Sequence, residues 1–196
     1  MTLKKWSYLF FTTFFIGGLG GLITGIAIGN TTFKNGFGDF AIGVSENILA
    51  GLMFSIIAQM GFFAYLTINY MVKSVIRSPL IWNILQGLLI LVTLVDLVYL
   101  RYTFFGNSDS ILPYILLPII VLLVSIGVAY LKVRATNPSA FVATIFFMFV
   151  VTTIEWIPAL RVDNIRSVVF MLVPLLLCNT WQIMQLHKLV GKEKQA

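Results

Sequence analysis

The chain has 196 residues, 59% of them hydrophobic and only 10% charged. Soluble domains carry about 25% charged residues, so this composition excludes an ordinary water-soluble fold. It specifies an all-α membrane protein, a compact six-helix transmembrane bundle. The formal net charge of +6 is spread over short loops and tails instead of one basic face, which argues against nucleic acid and for a lipid bilayer as the partner.

At this length a single integral membrane domain over residues 1–196 is expected, without an attached soluble module. The first span is predicted over about residues 6–28. Lys4 and Lys5 precede it, as in a signal peptide, but its apolar run exceeds the usual 7–15 residues of such a leader, so it reads as an uncleaved helix. Gly17, Gly21, Gly25 and Gly29 recur within it at every fourth position, a glycine zipper that falls on one stripe of a helix. Such a stripe lets a neighbouring backbone approach closely. The neighbour is either another helix of this chain or a second membrane protein.

Asn30 to Glu46 reads as a loop, with Gly36 and Gly38 as breakers and Phe33, Phe37 and Phe40 suited to the membrane interface. The second span is predicted at about 47–72, with Gln59 near its middle. Pro79 follows a short basic loop at Lys73 and Arg77, and the third span covers about 80–105, with Asn83 and Gln86 early and Asp96, Arg101 and Tyr102 late. The fourth, about 111–131, contains Pro118, which is expected to kink it. The fifth covers about 139–159 and the sixth about 167–186, the latter with Pro174, Cys178, Asn179 and Gln182. The amides of Gln59, Asn83, Gln86, Asn179 and Gln182 are candidates for hydrogen bonds between helices.

Six spans place Lys4, Lys5, Lys73, Arg77, Lys132, Arg134, Lys188, Lys192 and Lys194 on one side. Lys34, Arg101, Arg161 and Arg166 fall on the other, so nine of the 13 basic residues share a side. Short cytoplasmic loops are enriched in Lys and Arg, so both termini are expected in the cytoplasm. Asp96, Arg101, Glu155 and Arg161 then lie at similar depth in the outer half. A charge at the bilayer centre costs about 2.5–3.5 kcal/mol and less near the interface. The four therefore form a candidate intramembrane polar cluster. It is open to three readings: a structural network pinning two helices, a functional pocket or switch, or charge exposed to solvent at the interface.

No metalloprotease H-E-x-x-H, no G-x-S-x-G, no phosphate-binding loop and no dinucleotide fingerprint occurs in the sequence. His187 has no partner acid nearby, so the expectation is a non-enzyme with no catalytic residues, no metal and no cofactor. Cys178 is the only cysteine and reads as a buried, inert thiol.

The strings GLMFSIIAQMGFFAYLTIN (51–69), WNILQ (82–86), DLVYLRY (96–102), IEWIPALR (154–161) and CNTWQIMQLHKL (178–189) resemble the KinB-signalling pathway activation (KbaA-like) family of endospore-forming bacilli. The resemblance covers nearly the whole chain. It implies a multi-pass plasma-membrane protein that promotes sporulation upstream of the sensor histidine kinase KinB in the phosphorelay, and it carries over no catalytic residues. The combined expectation is a membrane activator that contacts a sensor kinase or its accessory protein helix to helix, through the stripe of the first span. The competing expectation is a small-solute or ion transporter or channel that uses Asp96 and Glu155, with helices broken at Pro118, Pro158 and Pro174.

Overall fold

A computed structural model describes residues 3–31, 37–76, 78–105, 112–161 and 164–191. Phe33, Lys34, Gly36, Arg77, the 107–110 turn, Asp163, Lys192 and Lys194 lie outside them. The described residues form six helices and no strand: α1 (Leu3–Ala27), α2 (Phe37–Val75), α3 (Pro79–Phe105), α4 (Leu112–Ala135), α5 (Ala140–Leu160) and α6 (Ile165–Gly191). All six are long and apolar enough to cross a membrane, because each carries the roughly 20 apolar residues that span about 30 Å of hydrocarbon.

Five of the six helices exceed the apolar runs that announce them. The largest difference is at α2, which begins at Phe37 and not at Asn47 and extends for 39 residues, about 58 Å at 1.5 Å per residue. Gly38 and Gly43 do not break it, since neither takes a positive φ. Asp39 lies in its first turn, where an acid complements the helix dipole. Helix α4 likewise outruns its apolar stretch and continues through Lys132 and Arg134, two cations suited to a helix C-terminus. Arg134 there donates to the Tyr130 hydroxyl at 2.6 Å.

The contacts group the helices into two compact units. One contains α1, α2 as far as Met60, and α6; the other runs from Gly61 through α5.

In the first unit α1 and α6 are antiparallel. Lys5 Nζ donates to the Leu189 carbonyl at 2.8 Å, Trp181 Nε1 to Thr12 Oγ1 at 3.0 Å, and Cys178 Sγ meets the Thr13 carbonyl at 3.7 Å. Partner numbers fall on one helix as they rise on the other, so the start of α1 and the end of α6 share one end of the unit. The contacts of α1 with α2 run the same way: Gln59 Nε2 donates to the Phe10 carbonyl at 3.4 Å, Gly17 meets Ser55 and Gly51, and Gly21 meets Gly51 and Asn47.

In the second unit α5 packs on α3 and α4. An aromatic cluster fills its interior, with Phe62 and Phe147 centroids 5.5 Å apart, Tyr65 and Phe147 5.1 Å, and Trp82 and Phe146 6.3 Å. Helix α5 is not uniform. Phe146–Val151 is a π-helical turn between the α-helical segments Ala140–Ile145 and Thr152–Leu160. A π turn holds one extra residue, so it rotates everything after it, Glu155 included, relative to an unbroken helix. The turn is enclosed, with every residue from Thr144 to Val150 buried.

Candidate functional site

The glycine stripe of α1 has two fates. Gly17, Gly21 and Gly25 are covered by α2. A Cβ at Gly17 would overlap Ser55 Cβ, one at Gly21 the Asn47 carbonyl, and one at Gly25 the Asn47 carboxamide. From the other side, a Cβ at Gly51 would overlap the Gly17 carbonyl and stand 2.9 Å from Gly21 Cα. Two glycine-bearing helices thus meet backbone to backbone, the arrangement that stabilises helix pairs in lipid without a hydrophobic driving force. Asn47, Gly51 and Ser55 are themselves spaced by four, a signal in the sequence that identifies the facing stripe.

Gly29 plays a different part. It lies past the end of α1 with φ of 77°, and a Cβ at this position would find nothing within 4 Å. Its N–H donates to the Ile26 carbonyl at 3.1 Å, and that of Asn30 to the Gly25 carbonyl at 2.9 Å. This pair of bonds is the Schellman motif, which needs a left-handed residue at the position Gly29 holds.

Of the four charges expected to gather between the third and fifth spans, the structure buries two and exposes two. Glu155, on the turn of α5 after the π segment, is 8% exposed, and Arg101, on α3, is 9% exposed. Asp96 and Arg161 are exposed. Helix α3 packs against the Thr152–Leu160 segment, so the two buried charges lie on neighbouring helices. The Glu155 carboxylate takes its room from Gly61 of α2. A Cβ there would overlap Oε1 and would lie 2.8 Å from Cδ and 3.1 Å from Val151 Cγ1. Buried around the acid in sequence are Thr152, Thr153, Trp156 and Ala159. The Thr153 hydroxyl is turned back to the Phe149 carbonyl at 2.7 Å. Spacing alone does not single out Gly61, since it stands apart from the stripe of Asn47, Gly51 and Ser55 on the same helix.

The amides also divide. Gln59 bridges to α1, as above. Asn179 and Gln182 are buried on α6, Gln86 is fully buried on α3, and Asn83 is exposed one turn before it. Among the described residues there is no group of three or more His, Cys, Asp or Glu that could hold a metal ion. Cys178 is fully buried, its thiol turned to the Thr13 carbonyl.

Comparison with known proteins finds relatives by sequence. The family model described as "KinB-signalling pathway activation in sporulation" matches residues 17–189. The chain is also 36% identical over 189 residues to the "KinB-signaling pathway activation protein" of Bacillus subtilis (strain 168), covering 93% of this chain and 96% of that one. The chain belongs to the KinB-signalling pathway activation family. No solved structure matches it. The match begins at Gly17 and ends at Leu189, so it takes in the α1–α2 glycine contact, Gly61 and both buried charges. Those features therefore lie within the part of the chain that carries its membership of the KinB-signalling pathway activation family.

Proposed function

We propose that the protein is a non-catalytic, multi-pass activator in the plasma membrane of an endospore-forming bacterium. Both termini face the cytoplasm, and it acts in the KinB branch of the sporulation phosphorelay. The observation that carries this reading is the family match across residues 17–189, joined to six helices that devote nearly all described residues to membrane-length segments. The excess of basic residues on one side supports the orientation. It is consistent with Lys5 and Leu189 meeting at one end of their unit.

Its mode of action is contact with a membrane sensor histidine kinase, or that kinase's accessory protein, within the bilayer. A partner shifts a two-state kinase only by binding one state better than the other, and helix faces that differ between the states supply that difference. Since α2 fills the Gly17–Gly21–Gly25 stripe, the contact falls to outward faces. Helix α3 is the least enclosed of the six and presents Ile81, Ile84, Leu88, Leu91 and Val95, all exposed at helical spacing. The test is a photocrosslinking side chain at Leu88 or Ile84 in sporulating cells, followed by mass spectrometry. Capture of a sensor kinase or its accessory protein is expected. Capture of lipid alone from both positions, with signalling intact, overturns the contact reading.

A further inference from the structure

A cavity of about 270 Å³ opens at one end of the second unit. Its wall includes Asn69 and Lys73 from α2, Trp82, Asn83 and Gln86 from α3, and Ser139 just before α5. The Gln86 side chain is fully buried, and among the described residues neither its Oε1 nor its Nε2 has a hydrogen-bond partner. Buried amides are nearly always satisfied, so this one needs a guest that both donates and accepts. A hydroxyl does both.

The remaining wall completes the specification. Trp82 Nε1 donates to Asn69 Oδ1 at 3.1 Å, which leaves the Asn69 NH₂ to donate elsewhere. The Ser139 hydroxyl donates to Asn137 Oδ1 at 2.6 Å and keeps its lone pairs for a donor. Among the described residues of the wall Lys73 is the one cation, and no carboxylate joins it. Lysine binds phosphate as a point charge. The volume equals about nine waters at roughly 30 Å³ each, room for a small polar molecule.

We infer that this cavity is a binding site for a hydroxylated phosphate ester, with the phosphate on Lys73 and the Asn69 and Asn83 amides and a hydroxyl on Gln86. Two sources share that chemistry, the glycerol-phosphate headgroup of an anionic lipid and a free sugar- or glycerol-phosphate. Lys73 is exposed at the end of α2, so either source has access.

The experiment places the full chain in phosphatidylcholine nanodiscs and measures its thermal midpoint with phosphatidylglycerol in the bilayer or with glycerol 3-phosphate in solution. At least one probe is expected to raise the midpoint, the lipid arm identifying a headgroup site and the soluble arm a solute site. Gln86→Leu keeps the volume and removes the amide. It should weaken the responding probe at least about tenfold while leaving the probe-free midpoint level or higher. Lys73→Gln, at an exposed position, should weaken it as well and guards against a folding defect in the first variant. No response to either probe, or responses unchanged in both variants, overturns the inference and leaves a site filled by water only.

Discussion

Replacing Gly51 by alanine tests the α1–α2 contact directly. The added Cβ would overlap the Gly17 carbonyl and lie 2.9 Å from Gly21 Cα, whereas ordinary contact begins at 3.4 Å. Both obstacles are backbone, so no rotamer relieves them and the helices must part by about 0.5–1 Å, which forfeits a quarter to a half of each van der Waals well along the seam. Overpacking of this kind costs about 1–3 kcal/mol. Alanine returns about 0.8–1.0 kcal/mol through its better helix propensity. The net is a destabilisation of up to about 2 kcal/mol, or a melting point lower by up to about 8 °C for a chain of this size. Gly87→Ala and Gly127→Ala are the controls, because nothing lies within 4 Å of either new Cβ. They keep the propensity gain and should melt at or above wild type. Thermal unfolding in nanodiscs, followed by tryptophan fluorescence, separates the three. If Gly51→Ala melts as high as the controls, the two backbones do not touch as described.

Gly61→Ala should displace the Glu155 carboxylate and destabilise by about 1–3 kcal/mol. Glu155→Asp in the same chain should recover part of that loss, and additive effects in a double-mutant cycle would show that the acid does not rest on Gly61. Cys178, fully buried, should resist a membrane-permeant maleimide in the native protein and react once detergent unfolds it; rapid native labelling would contradict its placement. Green fluorescent protein fused to either end should fluoresce and alkaline phosphatase should stay inactive, whereas an active phosphatase at one end would refute the proposed orientation.

Much of the architecture was legible in the sequence, because crossing a bilayer demands an apolar length that composition alone reveals. The ends of α2 were not, since Phe37–Glu46 mixes polar and apolar residues in a pattern that a surface loop shares. The close approach along α1 was legible for Gly17, Gly21 and Gly25, whose spacing has a helical meaning. Gly29 has the same spacing, yet its role depends on the chain turning there, which a period cannot express. The charged positions were visible as anomalies, but burial separated Arg101 and Glu155 from Asp96 and Arg161, and burial is set by neighbours distant in sequence. The π turn left no local mark. FFMFVV is uniformly apolar, and an extra residue in a helix is decided by what packs around it. Gly61 and the cavity at Gln86 belong with it, since both arise only when α2, α3 and α5 are brought together.

The bond from Lys5 to the carbonyl of Leu189 bears on how this protein could be rebuilt. A lysine side chain and one hydrogen bond bridge about 10 Å, a gap that a linker of a few glycines and serines would cross. A chain joined between Lys5 and Leu189 is therefore suited to circular permutation, with new ends cut into a surface turn. A permutant that still inserted would show that the order in which the segments leave the ribosome does not decide their final arrangement.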